Sequence, residues 1–220
     1  MGQRREGGVD EDEEGMTDMR AAAAAYISRG FRVQPLYGVD ALGRCRCGNP
    51  ACEPRDAGKH AAPGFDERAK NGAPFSASEF PDGCNLAMLM GPWGGSRDWL
   101  IALDFDVYSG DPSRVVALPP TLRHRTPRGW HDIYSVPAFT PLGNYLDVLG
   151  TREREQGFGL DLRYARGRIA APPSRGYAWV NEHAPITELP RAFVERILDE
   201  RRRRGLPVLS RWERAKGKNP

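Results

Sequence analysis

Three groups of side chains in this sequence stand at spacings that do chemistry. The first is the carboxylate pair Asp104 and Asp106, at the end of the apolar run Leu100-Ile101-Ala102-Leu103. Successive side chains of a strand point to opposite faces. Asp104 and Asp106 therefore share a face with Ala102, while Ile101, Leu103 and Phe105 take the other. Two like charges on one face repel unless a cation lies between them, and an oxygen-only ligand set favours Mg²⁺ or Mn²⁺. The second group repeats the pattern: in Phe158-Gly159-Leu160-Asp161-Leu162-Arg163, Asp161 and Arg163 project together from a second apolar strand. Carboxylates that clamp metal ions beside cations that hold phosphates are what phosphoryl transfer requires. Thr126-Pro127-Arg128-Gly129-Trp130-His131 adds a basic turn that leads into a strand, placing Arg128 and His131 where a triphosphate could be held. Taken alone, His131 reads as a hydrogen-bonded core residue and Asp104-x-Asp106 as an exposed strand end.

The third group is Cys45, Cys47, Cys52 and His60, spaced C-x-C-x4-C-x7-H. Three thiolates and an imidazole make a closed tetrahedral set for a structural Zn²⁺, with no position left for a substrate. Gly48, Pro50 and Gly58 supply bends, and metal binding supplies folding energy that a long coil lacks. The fourth cysteine, Cys84, borders an apolar run and reads as a buried free thiol.

These groups need elements to carry them. The chain has 220 residues, 40% hydrophobic and 28% charged, with 25 glycines and 19 prolines, enough for one substantial domain rich in turns. Four cysteines exclude a disulfide scaffold, and no apolar run approaches the ~20 residues of a membrane span. A cytoplasmic protein is expected. Thr17 is the expected cap of an alanine-rich helix ending at Gly30, followed by a short strand over Phe31–Leu36. Residues 41–75 read as a long irregular excursion. Strands are expected over Asn85–Met90, Trp99–Asp106, Trp130–Ser135, Phe158–Tyr164, Arg168–Ala171 and Tyr177–Val180, and a last helix runs from Pro190 towards Gly205. Strands in the middle and helices at the ends predict an α+β fold with a mixed sheet.

The net charge of +3 conceals a segregation. Residues 1–20 carry three basic and seven acidic side chains, and residues 191–220 carry ten basic and four acidic. The expected organisation is an acidic, disordered tail over 1–16, a domain over 17–190 with its zinc loop at 45–60, and a basic helix and tail over 191–220. The run Arg201–Arg204, with Arg211, Arg214, Lys216 and Lys218, is either a solvated helix end or a contact to phosphates.

In this order the motifs resemble the primase–polymerase domain of the archaeo-eukaryotic primase superfamily, in particular the bifunctional primase/polymerase domains of plasmids, phages and mobile elements. The resemblance runs from about Ala21 to Val180. It takes in the alanine-rich helix, the Cys/His loop closing on Gly58-Lys59-His60, Asn85-Leu86-Ala87 before Gly91, Asp104 and Asp106, and Thr126 to His131. It ends with Gly159-Leu160-Asp161-Leu162-Arg163 and Ala171-Pro172-Pro173-Ser174. The resemblance implies an RRM-like sheet with an added αβ subdomain. It makes Asp104, Asp106 and Asp161 the catalytic carboxylates for Mg²⁺ or Mn²⁺. His131, Arg163, Arg128 and Ser174 become nucleotide-binding residues, and Lys59 falls near a position that is often lysine. Its implied partners are a single-stranded DNA template, nucleoside triphosphates and a replicative helicase, in a bacterial or phage-infected cell. In the family two glycines often precede the histidine turn; here Trp130 follows the single Gly129.

The expected activity is metal-dependent, template-directed nucleotidyl transfer that makes and extends primers. The rivals are a gap-filling or damage-tolerant polymerase that needs a primer, a non-catalytic zinc-containing DNA-binding adaptor, and a nucleotide phosphohydrolase.

Overall fold

The computed structural model describes residues 18–152 and 154–208. The expected cap Thr17, the acidic tail over 1–16 and the basic residues from Arg211 onward lie outside them. Among the described residues the architecture is α+β, with two sheets and three α-helices. No helix among them is long and apolar enough to cross a membrane. Helix α1 (Met19–Ser28) is capped by Asp18, whose carboxylate accepts from the N–H groups of Arg20 (2.9 Å) and Ala21 (3.0 Å). Such a cap contributes about 1 kcal/mol. Met19, Ala23 and Tyr26, at helical spacing, turn inward.

The smaller sheet joins β1 (Val33–Leu36), β2 (Asn85–Leu89) and β8 (Arg168–Ala171), all antiparallel with β2 in the centre. The larger is built around β4 (Asp98–Val107). One edge of β4 pairs with β6 (Gly129–Pro137), the other with β3 (Gly91–Pro92) and β7 (Phe158–Arg163). Beyond β6 lie β5 (Leu122–Thr126), then β9 (Ala178–Trp179), and also β10 (Thr187–Glu188), whose parallel pairing with β6 makes the sheet mixed. Strand β5 was not among the expected strands, because Arg123 and Arg125 mask its alternation; Leu122, His124 and Thr126 are its buried side. The excursion over 41–75 is also more ordered than expected, for it holds the short helix α2 (Phe65–Lys70).

The two faces of the larger sheet bury separate cores. Ile101, Leu103, Phe105, Leu160 and Leu162 pack with Phe193, Val194, Ile197 and Leu198 of α3 (Arg191–Arg203). Each of these α3 side chains contributes roughly 1.5–3 kcal/mol by burial, so this basic helix is part of the folded core. On the opposite face Leu100, Ala102, Leu122 and Ile133 pack with α1 and with Leu86, Met88, Ile169 and Ala171 of the smaller sheet. Further along β4, that second face carries Asp104 and Asp106.

The arginine run at the end of α3 is largely engaged within the fold. Arg201 is buried, donates to the Pro207 carbonyl at 2.9 and 2.6 Å, and lies 3.5 Å from the Tyr145 ring centroid. Arg203 pairs with Glu200 (2.6 Å), and Arg204 donates to the Asp147 carbonyl (2.7 Å).

Candidate active site

Register brings the sequence-predicted carboxylates together. Asp161 on β7, Asp104 on β4, His131 on β6, His124 on β5 and Trp179 on β9 are successive partners in one row across five strands. One step along the same face, Asp106 lies between Gly159 and Gly129, so neither neighbouring strand offers a side chain there. Directly opposed residues of adjacent strands stand ~4.5–5.5 Å apart. The three carboxylates therefore form one cluster at the open end of the sheet face.

Guanidinium groups offset their mutual repulsion. Arg128 holds both oxygens of Asp106 (3.0 and 3.1 Å). Arg152 bridges Asp161 (3.1 Å) and Asp106 (3.5 Å), and Arg163 meets the second oxygen of Asp161 (3.2 Å). The cluster splits electrostatically. Burial pushes the carboxyl of Asp161 up, against the pull of the Asp147 N–H, Arg152 and Arg163. Burial also opposes the charge on Asp104, but there His131, Arg163 and Lys59 outweigh it and hold the group below the usual carboxylate range.

Both ring nitrogens of His131 are engaged within the protein. Nε2 lies 3.1 Å from Asp104 Oδ1, and Nδ1 lies 2.7 Å from His124 Nε2. His131 is 5% exposed, and its two nitrogens face Asp104 and His124. Ser174 makes its side-chain hydrogen bonds to the backbone of β2. It is buried, and its hydroxyl accepts from the Leu86 N–H (2.8 Å) and donates to the Leu86 carbonyl (3.1 Å), which ties the turn after β8 to β2.

Three members of the site had no assignment in the sequence. His124 had the alternation of β5 as its signal, masked by its arginine neighbours. Arg152 and Asp147 come from the irregular segment between β6 and β7, where no periodicity marks them. Asp147 organises that segment from a left-handed backbone (φ 45°). Its N–H donates to Asp161 (2.9 Å), and its Oδ1 accepts from Thr151 Oγ1 (3.0 Å) and the Arg152 N–H (3.1 Å). Gly159 makes room for Arg152, since a Cβ at that position would lie 2.2 Å from the Arg152 Nε.

The Cys/His loop forms a second centre. The sulfurs of Cys45, Cys47 and Cys52 and a ring nitrogen of His60 all lie within 4.8 Å of one another. His60 Nε2 is 3.2 Å from Cys45 Sγ and 3.8 Å from Cys52 Sγ. Tetrahedral zinc with bonds of ~2.0–2.3 Å needs ligand separations of about this size, so the donor set could hold Zn²⁺. The Asn49 N–H and His60 pull the Cys47 thiol down to about 7, while desolvation and the other thiols push Cys52 up to about 12. Thiols this close do not all deprotonate without a cation among them. Cys84 is buried and free, as expected. The loop docks on the smaller sheet through Asn85 Nδ2, which donates to the Gly58 carbonyl (3.1 Å). A Cβ on Gly58 (φ 72°) would lie 2.4 Å from that nitrogen. Lys59, between Gly58 and His60, is thereby brought within electrostatic reach of Asp104.

Oxygen ligands from two adjacent strands, ringed by cations and reached by a lysine from a metal-type loop, are the donor types that divalent-metal and polyphosphate sites use. No curated protein and no solved structure matches the chain. A family model described as bifunctional DNA primase/polymerase, N-terminal, matches residues 23–192, a span that contains the Cys/His loop, all three carboxylates and every basic residue around them. That match covers most of the sequence, and the chain belongs to the family of bifunctional DNA primase/polymerase N-terminal domains.

Proposed function

We propose that this domain catalyses metal-dependent, template-directed nucleotidyl transfer on single-stranded DNA, making primers and extending them. The observation that carries the reading is the single row in which Asp161, Asp104 and His131 adjoin, with Asp106 one step along and three guanidiniums around them. Asp104, Asp106 and Asp161 would hold Mg²⁺ or Mn²⁺, which when bound lowers the pKa of the attacking hydroxyl and neutralises charge on the departing pyrophosphate. His131 fixes Asp104, and the Asp147 N–H fixes Asp161. Arg128, Arg152 and Arg163 neutralise the carboxylates here and, with Lys59, are the cations nearest to hand for the triphosphate. A Zn²⁺ ion on Cys45, Cys47, Cys52 and His60 would be structural, since four protein ligands complete its shell.

The test is an extension assay on a single-stranded template with nucleoside triphosphates, with and without primer, in Mg²⁺ and in Mn²⁺. Products without primer are expected. Products only with primer would restrict the activity to gap filling. DNA binding without incorporation would make the domain an adaptor, and pyrophosphate release without template would make it a phosphohydrolase. Asp104→Ala and Asp106→Ala are expected to abolish incorporation with an unchanged circular dichroism spectrum; incorporation by either variant refutes the assignment.

A further inference from the structure

A second cavity, of about 570 Å³, opens on the outer side of the smaller sheet. Arg32 and Gln34, alternate residues at and just before β1, lie on its lining with Leu89 and Arg168, while Val33, Met88 and Ile169 face the core between the sheets. Helix α2 lines it on one side, and the start of β4 with the segment after β6 lines it on another. Trp99, five residues from Asp104 along β4, places the cavity ~16 Å from the carboxylates at the ~3.3 Å rise of a strand.

Three features of this cavity bear on what could occupy it. Gln34 is 0% exposed, yet both atoms of its side-chain amide lack a hydrogen-bond partner. A buried amide in that state costs free energy that an apolar residue of similar size would not. The buried Nη2 of Arg32 is likewise unpartnered. Third, Trp99 and Phe139 form an aromatic shelf (5.0 Å between ring centroids) with Phe139 81% exposed at the rim, backed by the core residue Tyr164, 5.5 Å from Trp99. Arg32, Lys70 and Arg168 line the cavity with Asp66, which pairs with Lys70 (3.3 Å) and with Arg168.

We propose that this cavity is a second nucleotide-binding site, distinct from the carboxylate site, which takes one nucleobase with its phosphate. An amide presents a donor beside an acceptor, the complement of a base edge that carries the same pair, and adenine is the simplest match. The aromatic shelf offers a stacking surface, which every base can use. Arg32 and its basic neighbours suit the phosphate. A cavity of this volume holds a single nucleotide. The same chemistry comes from a free nucleotide or from one residue of a single strand, and the two are separable.

The experiment is calorimetric titration of the full zinc-loaded chain in buffer without Mg²⁺ or Mn²⁺, so that metal-dependent binding at the carboxylates is silent. AMP is titrated in one arm and a short single-stranded oligodeoxyadenylate in the other. The variants are Gln34→Leu, which keeps the volume and removes the amide, and Phe139→Ser, at the exposed rim where folding is not at stake. Metal-independent binding is expected, weakened about tenfold or more in both variants, the order of effect that loss of a stacking partner produces. Gln34→Leu should also melt no lower than the unaltered protein. If AMP binding is the one that weakens, the site takes free nucleotides; if only oligodeoxyadenylate binding weakens, it takes a base of a strand. The inference is overturned if neither ligand binds without Mg²⁺ and Mn²⁺, or if either variant binds as the unaltered protein does. These outcomes do not depend on polymerase activity.

Discussion

Asp104, His131 and His124 form one hydrogen-bonded chain across three strands. An ionised Asp104 only accepts, so His131 Nε2 donates to it, while His131 Nδ1 meets His124 Nε2 at 2.7 Å. The remaining nitrogen of His124, Nδ1, is buried without a partner. Burial first, and then the neighbouring His131, hold the His124 pKa well below its ordinary 6.5, against weaker opposite pulls from the Ala170 carbonyl and Asp104. The folded chain therefore refuses a proton that the unfolded chain takes up. This contribution is fully present above about pH 6.5 and is lost as the pH falls, at about 1.4 kcal/mol per pH unit. Urea midpoints measured from about pH 7 to pH 5 should show this slope. His124→Gln keeps a donor for His131 but cannot titrate, so its slope should be shallower by about one proton.

At the scale of elements, β7 works as a pair of opposites: Leu160 and Leu162 seal the core beneath α3, while Gly159, Asp161 and Arg163 face the site. Gly159 is there for Arg152, not for the strand. In Gly159→Ala the new methyl group must displace the guanidinium, which frees Asp106 and Asp161 from their shared bridge. Nucleotide incorporation should fall by about a hundredfold, the usual effect of losing one fixed cation or donor at a developing charge, while the thermal midpoint stays close to that of the unaltered protein. Steady-state extension rates and a melting curve on the same preparation check this. The pairing of faces on β4 and β7 was legible in the sequence, because strand alternation is a local property that two apolar runs display openly. The bridge was not. Arg152 and Asp147 reach the carboxylates only through the register of β4 with β7 and through a turn held by Asp147, and neither leaves a periodic trace. Ser174 illustrates the reverse: a residue in a recognisable motif whose hydroxyl proves to be bound to the Leu86 backbone.

For the whole molecule, the Cys/His loop acts as a brace between the smaller sheet and the carboxylate row. Asn85 holds Gly58, the Tyr37 N–H donates to the His60 carbonyl (2.9 Å), and Lys59 lies between them. Metal analysis should find one zinc per chain. Chelation, or Cys52→Ser, should make the segment around residues 38–64 sensitive to limited proteolysis and depress incorporation, because Lys59 loses its anchor. The loop's four ligands were readable from spacing alone, since a closed tetrahedral set has a characteristic sequence pattern. Its link to the active site was not, for that depends on how the chain returns to β2.

The strands of the smaller sheet are far apart in sequence: almost all of the larger sheet, residues 90–167, lies between β2 and β8, and the metal-type loop lies between β1 and β2. Sheets closed across such distances meet the entropy of loop closure before any pairing rewards them. The larger sheet, whose β5 and β6 form a tight hairpin, can assemble first. Doing so sets down β2 and β8, the segments flanking β3 and β7, at neighbouring positions. The smaller sheet should then close last and open first, with its amides exchanging with deuterium sooner than those of β4 and β6. A metal ion joining residues 45 and 60 shortens the path from β1 to β2 before folding begins. The metal-loaded chain should therefore refold faster than the stripped one, as a matter of polymer entropy and apart from any chemistry at the carboxylates.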